Sequence, residues 1–382
     1  MVSRNRPFRS HTLAPDGCWL LRCLPNLVCS PHRVNVNADE FPHWGNGRTG
    51  KKGERLNGQA NSAQLGHTGE RTEMFKKIYF EISGRCNGKC PWCQTGIRNL
   101  RQSPNRGGFI GPDRFARAVG YMLDEGIIGK DTLIILHNWG EPFLNPSIQD
   151  IVHFLHEANL TFGLSTNASK FVEFQGSDLM ERLRLFRFSM PGFSQSSYDR
   201  IHGFNFEMIK SNIAHILTNL RECGFRGEAQ LAYHIYKFNQ DELEPACQFA
   251  SEHGINLLAY YAYLADFDVC MDYLSSKMPR EQQEKASREL VLSYVEDLVA
   301  QMPQNYQCPQ HTMLVLDEEC NLLPCCIVGT DVGKYGLGNL FDLSLDEIRS
   351  LKTDQPFCKG CLSTGQCYVV HNPRVVKRTH NS

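Results

Sequence analysis

Between residues 75 and 265, short apolar runs alternate with amphipathic stretches, and this alternation restricts the fold more than any other feature of the chain. Runs at 77–82 (KIYFEI), 132–136 (TLIIL), 161–164, 185–188, 228–236 and 255–263 read as strands. Helical periodicity covers 111–125, 146–158, 177–183, 206–223 and 241–253. Parallel strands need a crossover long enough to hold a helix, so strand and helix in strict turn imply βαβ units and a parallel sheet. Six such units predict an α/β fold: a partial (β/α)6 TIM-like barrel, open along one side. Reactive groups in such barrels gather at the C-terminal ends of the strands.

The flanks differ from this core. Residues 1–73 are rich in Arg, Asn, Gly, Ser and Pro and lack periodicity, which predicts a disordered or non-native extension. Asp16, Asp39, Glu40 and Glu54 argue against a transit peptide, and Met74 is a plausible alternative start. The expected divisions are therefore 1–73, a core over 74–265, a helical linker over 266–304 with a helix at 280–301, a small loop-rich module over 305–371 and a tail over 372–382. The chain has 382 residues and a net charge of −1, which gives no pull towards nucleic acid or anionic lipid. No apolar run reaches the roughly 18 residues of a membrane span.

Cysteine is the compositional outlier. There are 16, and they cluster. In a long chain without a secretory signal, clustered cysteines point to metal in a reducing, cytoplasmic setting rather than to disulfides. The sequence EISGRCNGKCPWCQTG sets Cys86, Cys90 and Cys93 in a C-x3-C-x2-C run just after the first expected strand. An iron–sulfur cube is normally held by four thiolates, so three leave one iron open to a small molecule. A zinc knuckle or a plain electron-transfer cluster needs a fourth ligand nearby. Pro91 and Gln94 cannot serve, and there is no local His.

The run CNGKCPWC resembles the C-x3-C-x-aromatic-C signature of the radical S-adenosylmethionine (SAM) superfamily, with Trp92 at the aromatic position beside the adenine. The resemblance implies the radical SAM type of partial barrel and a 4Fe–4S cluster on Cys86, Cys90 and Cys93. It also implies SAM as cosubstrate, cleaved reductively to a 5′-deoxyadenosyl radical, and a low-potential electron donor of flavodoxin or ferredoxin type. HNWGEPFLNP resembles the family's GGEP motif and carries over to Gly140, Glu141 and Pro142, with Trp139 in place of the first glycine. Ser165 and Asn167 in GLSTNAS, and Ser189 in FRFSMPG, fall where the family places polar contacts to SAM. Turn formation is the bland reading of each of these.

Seven cysteines follow in the C-terminal segment: Cys308, Cys320, Cys325, Cys326, Cys358, Cys361 and Cys367. CPQHTMLVLDEECNLLPCC reads as a hairpin turning at 317–321. With FCKGCLSTGQC, the segment resembles the SPASM and Twitch extensions that hold auxiliary 4Fe–4S clusters. The Twitch arrangement falls on Cys308, Cys325, Cys358 and Cys361. Two departures stand out: Cys320 occupies the position of a SPASM glycine, and His371 that of a later cysteine. Whether Cys320, Cys326, Cys367 or His371 also ligate metal is left open by the sequence. A structural zinc site suits paired C-x2-C cysteines equally well.

The resemblance thus implies a radical SAM enzyme of oxidoreductase or maturase type. Its radical abstracts hydrogen from a substrate carbon, and oxidation through the auxiliary cluster follows. The substrate class implied is a peptide or protein, or a carbohydrate-type small molecule, without nucleic acid or membrane partners. The rival from another class is a non-catalytic iron–sulfur protein that relays electrons or senses redox state.

Overall fold

The computed structural model describes residues 75–102, 107–329, 331–353 and 355–373, and the backbone of 375–378. The expectations for residues 1–73 lie outside the described residues.

Strand β1 (Phe75–Phe80) is followed by helices α1 (Gln94–Leu100) and α2 (Pro112–Asp124), then β2 (Ile128–Ile135), α3 (Ile148–Glu157) and β3 (Phe162–Thr166). The chain continues through β4 (Leu183–Met190), α4 (Gln195–Arg200), α5 (Phe206–Glu222), β5 (Glu228–Ile235), α6 (Leu243–Glu252) and β6 (Asn256–Tyr261). The six strands pair in chain order, all parallel. This is the expected α/β arrangement. One crossover departs from it: the helix expected at 177–183 does not form. The Met180 amide bonds to the Cys223 carbonyl, at 2.7 Å, instead of to its own turn, and Leu183 already belongs to β4. A seven-residue segment gains more from that tertiary partner than from a helix nucleus.

Helices α7 (Phe267–Leu274), α8 (Arg280–Glu289) and α9 (Leu292–Ala300) follow, so the helix expected at 280–301 is two. At the break Leu290 is extended, and the Glu289 carbonyl accepts from the Lys237 amide at 2.8 Å. Strand β7 (Met313–Leu316) then joins β1 in parallel. It forms the expected hairpin with β8 (Asn321–Leu323), on which β9 (Gly338–Asn339) pairs antiparallel beyond α10 (Val332–Tyr335). The rest of this segment is more helical than its turn-rich sequence suggests, with α11 (Leu345–Thr353), α12 (Pro356–Thr364) and α13 (Gln366–His371). Strand β10 (Val375–Arg378) pairs antiparallel with β6. The sheet order is β10-β6-β5-β4-β3-β2-β1-β7-β8-β9, and it stays open because the two edge strands do not pair.

Period-two alternation gives the sheet two unlike faces. Ile78, Phe80, Ile134, Phe186, Phe188 and Leu231 enter one buried cluster with residues of α2, α3 and α5. Phe80 is fully buried against Phe115, and truncating it to alanine would cost about 3–5 kcal/mol. The alternate residues, among them Tyr79, Glu81, Ser165, Arg187, Gln230 and His234, stand on the other face and are largely polar. No helix of the described residues is long and apolar enough to cross a membrane.

Candidate metal and cofactor site

Cys86, Cys90 and Cys93 lie on the loop that leaves the C-terminal end of β1, with Cys93 directly preceding α1. The loop is closed from within. Asn99, on α1, donates through Nδ2 to the carbonyls of Cys86 and Gly88, both at 2.7 Å. A Cβ at Gly88 would stand 3.5 Å from the Cys90 sulfur and 3.6 Å from the Cys86 sulfur, so both thiols turn towards one small volume that glycine keeps clear. All three are free thiols.

Burial pushes the Cys86 thiol up to about 12, with the Glu141 carboxylate adding to the effect. Burial raises Cys90 well above the usual thiol range, and neighbouring Cys93 and Cys86 raise it further. Cys93 is raised by burial and partly relieved by the Gly96 and Thr95 amides. Thiols arranged in this way hold their protons unless a cation is supplied, and iron supplies one, since a coordinating thiol is deprotonated outright. The donor set therefore fits an iron–sulfur cluster. Among the described residues no three His, Cys, Asp or Glu side chains converge tightly enough for a single metal ion. A cube asks for a wider ring, because each thiolate binds a different iron.

The GGEP-like turn packs directly against this loop. A Cβ on Gly140 would lie 1.6 Å from the Ser83 carbonyl oxygen, so only glycine fits, and the Glu141 amide donates to the Arg85 carbonyl at 2.7 Å. Pro142 is buried and opens a single 3-10 turn. Glu141 is buried and already engaged. Its Oε1 accepts from Thr166 Oγ1 (2.7 Å) and the Phe143 amide (3.1 Å), and its Oε2 accepts from the Asn167 amide (2.7 Å). Its geometry joins the end of β2 to the end of β3. Burial holds its carboxyl up at about 7, against the pull of those donors.

Asn167 extends that tie to the cysteines: Nδ2 reaches the Cys86 sulfur at 3.8 Å and Asn87 Oδ1 at 3.0 Å. Ser165 and Ser189 are half-buried on the polar face of β3 and β4, one row apart, since Ser165 pairs with Arg187 and Ser189 with Ala232. Trp92 does not stand alone beside the loop; its Nε1 donates to Glu289 Oε2 at 3.1 Å, which gives the break after α8 a role.

Sequence reasoning missed Glu81. It is buried on β1's polar side, and its Oε2 accepts from three successive amides, Asn138 (3.2 Å), Trp139 and Gly140 (2.8 Å). Its Oε1 has no hydrogen-bond partner among the described residues. Burial raises its carboxyl to about 8 in spite of those amides. Only the three-dimensional pairing of β1 with the turn after β2 reveals this anchor.

In the C-terminal segment the structure brings a further cysteine into contact with the expected ones. Cys367, unassigned from sequence, sits against both Cys308 and Cys361; contact with Cys367 and burial push the Cys308 thiol up to about 12. Cys325 is buried beside Cys326 and is likewise raised to about 12, by burial first. Cys358 is raised by burial and by Cys308. Lys352, 2% exposed, donates from Nζ to the Pro324 carbonyl at 2.6 Å and faces Cys325, Cys326, Cys308 and Cys358. Cys320 is buried in the main core, with a left-handed backbone (φ 61) that favours glycine. Its side chain nonetheless joins the core.

No family model matches this chain, and no curated protein does. Among solved structures it is similar to SuiB of Streptococcus suis bound to its precursor peptide SuiA (14% identity, TM-score 0.49, covering 76% of this chain and 67% of that one). It is also similar to anSMEcpe with bound AdoMet (13%, 0.48, 73% and 82%) and to BtrN in complex with AdoMet and 2-DOIA (16%, 0.36, 78% and 89%). These likenesses are distant, and the chemistry rests on this chain's own residues.

Proposed function

We propose that the chain is a radical SAM enzyme whose SAM-binding 4Fe–4S cluster is held by Cys86, Cys90 and Cys93. The observation that carries the reading is the interlock of three strand ends around one sulfur. Cys86 lies on the loop after β1, Gly140 and Glu141 follow β2, and Asn167 follows β3 and reaches the Cys86 thiol. When bound, the cluster would pass one electron to SAM's sulfonium, breaking the C5′–S bond to give methionine and a 5′-deoxyadenosyl radical that takes a hydrogen atom from substrate. In this reading Glu141 orients the SAM-facing turn rather than binding SAM's ammonium alone. Backbone carbonyls around 139–141 are the acceptors for that ammonium, and Asn167, Ser165 and Ser189 serve the sugar and carboxylate. Trp92, held by Glu289, lies beside the adenine.

We assign an auxiliary 4Fe–4S cluster to the C-terminal cysteines, Cys308, Cys325, Cys358 and Cys361, with Cys367 as a competing ligand. The support is Lys352, since a buried ammonium with only one carbonyl partner is costly unless anions such as metal-bound thiolates surround it. The net reaction is oxidation of a substrate carbon in a peptide or small molecule, with a low-potential flavodoxin or ferredoxin supplying the first electron. The test is anaerobic reconstitution followed by dithionite and SAM. 5′-Deoxyadenosine is expected, and its absence with iron bound would favour an electron relay.

A further inference from the structure

The polar face of the sheet carries a row of which the proposed SAM site uses only Ser165. Ser165 of β3 pairs with Arg187 of β4, which pairs with Gln230 of β5; His137, two residues beyond Ile135, the partner of Gly163, extends the row on the β2 side. Arg187 is held sideways, towards β5, by Gln230 Oε1, which accepts from Nε at 3.1 Å and Nη2 at 2.9 Å. Arg187 has no carboxylate partner among the described residues. Carboxylates on this face are turned elsewhere, Glu81 onto the 138–140 amides and Glu228 onto the Asn256 side chain.

The neighbours of Arg187 are uncharged. His137 is held down at about 3, by burial first and then by Arg187 and Lys77, and its Nδ1 has no hydrogen-bond partner among the described residues. His234 is held at about 4, by burial and then by Arg187, and its Nε2 meets the Tyr260 hydroxyl at 3.0 Å. Arg187 is half-buried, so its guanidinium, among neutral donors and with no anion of its own, has charge left to be matched by a ligand. Its fork geometry matches a carboxylate or phosphate.

We propose that Arg187 binds an anionic group of the substrate, a carboxylate or a phosphate, with His137, His234 and Tyr260 as its uncharged hydrogen-bonding surroundings. The identity of the carrier rests on the radical SAM reading; the anion site itself does not. The same chemistry is present in SAM's own carboxylate, and the lateral hold of Gln230 on Arg187, towards β5 and β6 and away from the cysteine loop, favours the substrate.

The experiment is a titration of the full chain with inorganic phosphate, followed by calorimetry, with and without saturating SAM, on samples of measured iron content. Saturable binding that persists with SAM bound is expected. It should weaken about tenfold or more in Arg187→Gln, and less in Arg187→Lys, which keeps the charge and loses the fork. Near-UV circular dichroism reports whether each variant folds; should Arg187→Gln fail to fold, Gln230→Ala, which frees the guanidinium, should also weaken binding. Absence of saturable binding in the folded wild type, or unchanged binding in the folded variants, would overturn the site. One-for-one displacement by SAM would reassign it to the cosubstrate. Phosphate binding needs no cluster, so failure here leaves the iron reading intact, and missing iron leaves this site intact.

Discussion

The two cysteine regions reach similar donor sets by opposite routes. In the first, three cysteines lie within eight residues on one loop, and the close main-chain approach of Gly140 and Glu141 to Ser83 and Arg85, reinforced by the Asn99 and Asn167 side chains, locks it in place. In the second, the cysteines come from the segments on either side of a hairpin and from α12 and α13, with Lys352 facing four of them and Cys367 against Cys308 and Cys361. A loop locked by main chain tolerates little change in shape. A site assembled from side chains depends more on charge than on shape.

The largest expected effect breaks the first region. Gly140→Ala forces a Cβ onto the Ser83 carbonyl, so the chain should lose more than about 3 kcal/mol of stability or fail to accumulate as soluble protein, as read from thermal unfolding. A folded variant of near-wild-type Tm would mean that the interlock is looser than described.

How much of this was legible beforehand follows the same division. Strands β1–β6 and helices α2, α3, α5, α6, α8 and α9 were visible because one face of each is apolar at the right period. The triad was visible because its ligands are sequence neighbours. Glu81, Arg187 and Lys352 were not, because each has meaning only through a partner brought by register or by a distant element: residues 138–140, Gln230 and Pro324. The missing helix at 177–183 has the same cause, a tertiary carbonyl outcompeting a short local turn.

Next in size is a pH effect in the first region. The folded carboxyl of Glu81, at about 8, stands above its ordinary 4.5, so the folded state keeps a proton that the unfolded chain has released. Its contribution to stability is full below about pH 4.5, falls as pH rises towards 8 and is flat beyond, a change on the order of a few kcal/mol. Glu81→Gln keeps an acceptor for the three amides and should remove that slope in unfolding measured from pH 5 to 8. An unchanged slope would assign it to other groups.

In the second region Lys352→Met leaves the Pro324 carbonyl unpaired and should cost about 1–3 kcal/mol, measured by denaturant midpoint on iron-free protein. Were the variant more stable, burial of the ammonium would outweigh its hydrogen bond, and the contrast between the regions would weaken. The smallest effect is expected from Cys320→Gly, which relieves a left-handed backbone and removes a small buried thiol. Stability should stay within about 1 kcal/mol of wild type and iron content should not change. A loss of iron would make Cys320 a ligand and redraw the second region.

The central claim is an iron–sulfur cluster held by three cysteines with one iron free for SAM. Electron paramagnetic resonance of the anaerobically reconstituted, dithionite-reduced chain, with and without SAM, tests it most directly when the Cys90→Ala spectrum is subtracted to isolate the triad. The account predicts a triad signal that changes on adding SAM. A triad signal that SAM leaves unaltered, or no iron dependent on Cys90, would contradict it.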